Sequence, residues 1–463
     1  MTSRSAATRA LVVAAVWAGL VPACTPTPRG RDIVLITIDT LRPDHMGLYG
    51  YERLTTPEID RWFADGAIFE RAYSTEANTS PSVVSILSGV LPQEHRIRLL
   101  YQLLDPEARL IPDRLPEAYQ SAGFVSNVVL TDEAIGLASH FDHYDDAVSE
   151  LLWKTPLGVP HWGSKWARDA GPTTDAALVW LREQRDPERP VFLWVHYMDP
   201  HAPYRPPEAW KRSFFHDGRR PGIIRILQAV EDTLEYVDLY DEEIAYMDHH
   251  VGRLLDGCAE VLDLDDTLVI FTADHGESMM EHEAWFSHGY QVYEEILRVP
   301  FMLRGPGVAP GWRTGPISGV DVAKTVLSFA GAPTDPNSRG LDLRSPAPIR
   351  TDRTIFAEAT RLRHWRAAIQ LDRKWVLGVR LGKREIFARR YYNLLADPNE
   401  LNPAPGFPEG SAPEELFRLW EADPDPGGRP KDLVRGLHLK APKVHPRATK
   451  EQREKLRGLG YVD

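Results

Sequence analysis

The stretch from residue 32 to residue 39, DIVLITID, decides the fold of this chain. A continuous β-branched apolar run is the pattern of a strand buried on both faces, as in a parallel sheet covered by helices. Two more runs of the kind follow, VFLWVHY at residues 191–197 and TLVIFT at residues 267–272. Helical patterns lie between and after them. Residues 173–184 form one. Residues 241–256 form another, with Ile244, Met247, Val251, Leu254 and Leu255 on one face. Residues 321–329 form a third, ended by Ala332-Pro333. Strands alternating with helices predict an α/β sandwich around a mixed, mostly parallel central sheet.

The texture changes after about residue 335, where Pro and Asp cluster. Short strand patterns at 354–359, 367–370, 375–380 and 385–387 predict a smaller C-terminal antiparallel sheet, and residues 403–446, rich in Pro and Gly, read as an extended segment. The expected organisation is a large domain over residues 32–345 and a small C-terminal subdomain and tail over 346–463. No internal repeat is present.

At the other end, Arg4 and Arg9 precede an apolar run over residues 10–20, too short to span a bilayer. Val21-Pro22-Ala23-Cys24 follows, with small residues at the cleavage position. This resembles a bacterial lipoprotein signal. Residues 1–23 would be the signal peptide, Cys24 the lipidated mature N-terminus and 24–31 a tether. The protein is then expected to be exported to the bacterial cell envelope and lipid-anchored at Cys24, on the periplasmic or outer-membrane side. A plain secretory signal with an incidental cysteine is the alternative. With Cys24 used, Cys258 has no partner, so stability must come from a packed core rather than disulfides. The balance of 54 Lys+Arg against 66 Asp+Glu argues against a nucleic-acid partner. A small anionic substrate remains compatible with a locally cationic site.

Each apolar run is followed by polar residues able to hold a metal: Asp39 after the first, Asp199 and His201 after the second, Asp274 and His275 after the third. In open α/β sheets the strand C-termini are where ligands bind. One such Asp is commonly a helix cap; three placements, two of them Asp/His pairs, point to a site. A fourth piece is Asn78-Thr79-Ser80-Pro81-Ser82. Pro81 suits a first helical turn with Ser80 as N-cap, which puts Thr79 just outside a helix N-terminus that favours an anion. On its own, TSPS is no more than a capped helix start.

Together with DIVLITIDTLRPDHMGLYGY, the stretches TPEIDRWFADGAIFERAYS, VHYMDPHAPYRPP, TADHGESMMEHEAWFSHGYQVYEEILRVPFMLRGPG and EKLRGLGYVD resemble the sulfatase family of the alkaline phosphatase superfamily. The resemblance runs in order over residues 32–345, with weaker support from YYNLLADPNE and the tail. It implies that Asp39, Asp274 and His275 are metal ligands and that Thr79 both coordinates metal and attacks sulfur or phosphorus. It also implies that His201 lies beside the substrate anion, as a candidate for leaving-group protonation. His288 falls where the family carries an anion-binding lysine. Asn127 and Asp199 are expected to contact substrate. One divalent metal is implied, Ca2+ by resemblance, with Mn2+ or Zn2+ as alternatives. A second metal on Asp199, His201 and His288 is conceivable, although the Asp-x-His spacing is tighter than in two-zinc relatives. Glu277, Glu281, His282 and Glu283 offer extra ligands, although a solvated polar loop is the preferred reading; Trp285 and Phe286 read as pocket wall, and residues 212–239 as a surface helix or a lid.

The pattern also departs from the family. Sulfatases carry Cys or Ser in Cys/Ser-x-Pro-x-Arg and oxidise it to formylglycine; here the string is Thr79-Ser80-Pro81-Ser82-Val83. Oxidised threonine would give a ketone, and Val83 replaces the arginine. Thr40 stands where many sulfatases have a second metal-binding aspartate, and the lysine-x-histidine element has no clear match. The set Asp39, Thr79, Asp274 and His275 instead resembles threonine-nucleophile phosphodiesterases and phospho-group transferases. The expected function is therefore metal-dependent hydrolysis of sulfate or phosphate esters by Thr79. The alternatives are a threonine-nucleophile phosphodiesterase or transferase, and a non-catalytic binding lipoprotein on the same fold.

Overall fold

The computed structural model describes residues 30–423, apart from 149–166, 203, 212–213, 215–230, 280, 285, 336–337, 362, 381–384 and 412. The signal peptide, Cys24, most of the tether, Trp285, most of the 212–239 stretch and the tail from 424 lie outside the described residues. No described helix is long and apolar enough to cross a membrane.

Eight strands form the central sheet, in the order Gly311–Arg313, Ala67–Phe69, Phe301–Arg304, Leu268–Ala273, Ile33–Ile38, Val191–Tyr197, Gln120–Val125 and His143–Asp145. Ile33–Ile38 sits in the middle, parallel to both of its neighbours. All six of its residues are buried, so the unbroken apolar run answers to two covered faces. Phe301–Arg304 runs antiparallel to Leu268–Ala273, which makes the sheet mixed.

The helix expected over 241–256 spans Glu231–Ala259, and its five face residues are fully buried. It packs against Ala170–Glu183 and against Pro57–Phe63. Each large aliphatic side chain withdrawn from water here contributes about 1.5–3 kcal/mol, which helps offset the cost of burying charge at the strand ends.

A separate, all-antiparallel sheet joins Ile355–Ala359, His364–Gln370, Arg373–Val379, Ile386–Asn393 and Ala404–Pro405 in chain order. It starts at Ile355, and its fourth strand runs well past the expected residue 387. Arg389 and Arg390 interrupt the apolar pattern there because that strand is only partly covered. The segment expected to be extended also holds a helix, Glu414–Ala422. The edge strand Ile355–Ala359 docks on the chain just before Thr79: Glu358 N donates to Thr75 O and Ala77 N donates to Glu358 O.

Candidate active site

The register of the central strands assembles the site. Ile38 lies opposite Tyr197 on one side and Ala273 on the other. The chain therefore leaves the sheet with Asp39 and Asp274 side by side: Asp39 N donates to Tyr197 O (2.9 Å) and Asp274 N to Ile38 O (3.1 Å). Ligand atoms of Asp39, Asp274 and His275 all lie within 4.8 Å of one another, and all three residues are fully buried. His275 Nε2 is 3.8 Å from Asp39 Oδ1 and 3.6 Å from Asp274 Oδ2.

The chemistry of this set fits a cation. Asp39 Oδ1 and Asp274 Oδ2 are buried without a hydrogen-bond partner. Two adjacent carboxylates in a dry interior repel, and leaving such charges uncompensated is costly. Burial and the neighbouring Asp39 push the Asp274 carboxyl well above the usual range. Burial also pushes Asp39 up, but the His201, His196 and His275 rings together hold it below the ordinary value. For His275, burial lowers the pKa. Its Nδ1 donates to Gly276 O at 2.9 Å, which leaves the Nε2 lone pair facing the two carboxylates.

Thr79 brings its hydroxyl to the same point, Oγ1 lying 3.4 Å from Asp39 Oδ2 and 3.3 Å from His275 Nε2. It opens the helix Thr79–Ser88, every residue of which is buried. The cap lies earlier than the sequence suggested: Asn78, not Ser80, is the N-cap, without a side-chain cap bond. Ser80 instead donates its hydroxyl to Val129 O (3.2 Å), so its capping oxygen is turned to a neighbouring loop.

Asn127, expected to contact substrate, lies against Asp39. Its Nδ2 donates to Asp39 Oδ2 while its Oδ1 accepts from Val129 N (3.0 Å), so the amide is held at both ends and orients Asp39. Asp199, the other expected substrate contact, meets the helix Glu231–Ala259. Its carboxyl is hydrogen-bonded to Glu243, and burial raises it to about 6. It stands apart from the Asp39–Asp274–His275 set. The half-buried His201 donates Nδ1–H to Ala202 O (2.5 Å), and its ring is 5.0 Å from that of His288. The His288 ring lies 4.4 Å from that of His275. Phe286 is buried against Tyr204 and Tyr236.

Two residues depart from the preferred sequence reading. Glu277 is buried, not solvated; its Oε1 is 3.0 Å from His288 Nδ1, its Oε2 accepts from Tyr204 OH, and burial raises it to about 7. Glu281 is also tied in, to Arg42 at 2.9 Å. His196 is the second, fully buried in its strand with Nε2 3.7 Å from Asp39 Oδ2. Its Nδ1 pairs with Thr37 Oγ1, which also accepts from Trp194 Nε1. A lone histidine inside VFLWVHY was the available signal.

Comparison with known proteins gives a consistent picture. The sulfatase family profile matches residues 31–332. The chain is 25% identical over 378 residues to an arylsulfatase of Clostridium perfringens, covering 68% of this chain and 77% of that protein. Among solved structures, one determined in complex with its substrate D-glucosamine-2-N,6-O-disulfate superposes with a TM-score of 0.65 at 18% identity, covering 85% of this chain and 96% of that one. A phosphonate monoester hydrolase from Silicibacter pomeroyi superposes with a TM-score of 0.66 at 18% identity, covering 85% and 94%.

Proposed function

The chain belongs to the sulfatase family of the alkaline phosphatase superfamily, and from that premise we propose that it hydrolyses sulfate or phosphate esters with Thr79 as nucleophile. The observation that carries this reading is the Thr79 hydroxyl within 3.4 Å of Asp39 and 3.3 Å of His275, in a buried donor set with orphaned carboxylate oxygens. Asp39, Asp274, His275 and Thr79 would hold one divalent metal, which would supply Lewis acidity at the ester oxygens and lower the pKa of the hydroxyl. Calcium, manganese and zinc all suit a set of hard oxygens with one imidazole.

The protein's own groups do the rest. Asp39 Oδ2 accepts the Thr79 hydroxyl proton, and the start of the Thr79–Ser88 helix favours the anion that develops beside it. His201 and His288 stand beside that position. With each Nδ1 committed, to Ala202 O and to Glu277, their Nε2 atoms are the ones left to hold an ester oxygen or protonate a leaving group.

The hydroxyl itself favours phosphoesters within this reading. A phospho-threonine can be resolved by in-line attack of water, whereas a sulfo-threonine lacks the easy cleavage of a formylglycine hemiacetal. A phosphodiesterase or phospho-group transferase is thus the second reading. The phosphonate monoester hydrolase likeness is compatible with it at the level of fold.

Parallel assays of purified protein on aryl sulfate, phosphate monoester, diester and phosphonate, with metal varied, test the proposal. Thr79→Ala should lose at least about a thousandfold in turnover. Full turnover by Thr79→Ala would overturn it, and bound metal without turnover on any ester would favour the binding-lipoprotein reading. The envelope anchor is part of the same proposal; fatty-acid labelling that persists in Cys24→Ser would count against it.

A further inference from the structure

His196 reaches Asp39 from inside a buried strand, and two polar side chains of the same sheet face stand behind it. Thr37 and His196 are register partners on Ile33–Ile38 and Val191–Tyr197. Trp194, two residues before His196, points to the same face. All three residues are fully buried. Trp194 Nε1 lies 2.9 Å from Thr37 Oγ1, and Thr37 Oγ1 lies 2.9 Å from His196 Nδ1.

The indole sets the direction of this chain of hydrogen bonds. Its N–H can only donate, so Thr37 Oγ1 is the acceptor there. The Thr37 hydroxyl proton then has His196 Nδ1 as its acceptor; a buried hydroxyl left with no acceptor would be costly. With Nδ1 accepting, the ring proton of His196 sits on Nε2. That atom has no hydrogen-bond partner and lies 3.7 Å from Asp39 Oδ2. This is longer than a hydrogen bond, but a dipole aimed at a carboxylate acts strongly where burial leaves little screening. Asn127 Nδ2 and the Thr79 hydroxyl meet the same oxygen, so three donors converge on Oδ2 while Oδ1 has no partner. Because the chain ends on an indole that neither takes up nor releases a proton, it fixes a proton in place and does not carry one.

From this geometry we propose that His196 is a positioning residue: its Nε2–H, oriented by Thr37 and Trp194, holds Asp39 Oδ2 on the protein side and leaves Oδ1 for the metal. The inference rests on the reading of Asp39 as a metal ligand. It assigns the polar residues inside two otherwise apolar strands to the site and not to the core alone. An apolar residue at position 37 or 196 would pack there equally well, but it would leave the direction of the Asp39 carboxylate to Asn127 and Thr79.

Nitrogen-15 NMR of metal-free protein labelled at histidine, with dye-competition titrations of Zn2+, Mn2+ and Ca2+, tests this. The His196 ring signals, recognised by their absence from His196→Gln, should show a protonated Nε2 and a bare Nδ1 in wild type. Thr37→Val should lose that one-sided pattern. His196→Leu and Thr37→Val should each weaken binding of the metal that wild type takes by at least about tenfold. His196→Gln returns an N–H donor and Thr37→Ser returns the hydroxyl, so both should recover most of the loss. A proton on Nδ1 in wild type, or unchanged affinity in Thr37→Val, overturns the role of His196, even where His196→Leu fails to fold. A loss that neither conservative variant repairs marks a packing effect and overturns it as well. If wild type binds none of the three metals, the reading of the site fails, and this proposal fails with it.

Discussion

Asn127 uses both ends of one amide, and that sets its role in the site. With Nδ2 on Asp39 and Oδ1 on Val129 N, it fixes the direction in which Asp39 presents its other, orphaned oxygen. Partners of this kind behind a metal ligand are worth about 10–100-fold in affinity. Asn127→Leu should therefore weaken metal binding by at least about tenfold, read by competition with a chelating dye; unchanged affinity would reduce Asn127 to a loop cap. The same scale shows what a sequence can reveal about a site. Asp39, Asp274 and His275 were legible because each follows an apolar run that had to be a buried strand, and strand ends are where such sheets bind ligands. Glu277 was not legible. Its acidic neighbourhood looks like a solvated loop, and only the fold shows that Tyr204 and His288 cover it. Asp199 also follows a buried strand, and there Glu243 engages its carboxyl.

Elements follow the same logic with different margins. The three central strands match their patterns closely because every position meets a covered face, and the helix Asp321–Phe329 does so with all but Lys324 and Ser328 buried. The start of the Thr79 helix moved by two residues, since Ser80 found a partner in Val129 O that local capping rules do not include. In the C-terminal sheet, buried polar residues such as His364, Arg366 and Lys374, and the half-covered strand Ile386–Asn393, blur the apolar pattern, so existence was legible and length was not. The short helix Glu294–Leu297 carries a pH-sensitive group. Burial, with Glu281 and Glu400 close by, pushes the Glu295 carboxyl from 4.5 up to about 8, and its Oε1 has no partner. A carboxyl raised in the native state favours folding when protonated, so its contribution is full below 4.5 and is lost as pH rises towards 8. Wild type should lose more of its Tm between pH 5 and pH 8 than Glu295→Gln. Parallel pH profiles of the two proteins would show that this carboxyl ionises at its ordinary value.

At the scale of the whole molecule, the central sheet and the C-terminal sheet form one unit around the nucleophile. The edge strand of the C-terminal sheet pairs with residues 75–77, and Arg98, from the large domain, bridges Glu358 (2.7 Å) and Asp423 (2.6 Å). Arg366 also pairs with Asp423, and both arginines are largely buried. Removing the shared carboxylate would leave buried charge poorly compensated, so Asp423→Ala should cost about 3 kcal/mol, measured by guanidinium denaturation. A change near zero would mean that the sheets are held by apolar packing alone. This docking was not legible in the sequence, because its partners lie up to 325 residues apart. The central claim is that Thr79 attacks the ester, and acid-quench mass spectrometry during turnover of a nitrophenyl phosphodiester tests it most directly. A phosphoryl adduct on the peptide that contains Thr79, absent from Thr79→Ala along with the turnover, is the predicted result. Steady turnover by Thr79→Ala, or an adduct on another residue, would contradict it.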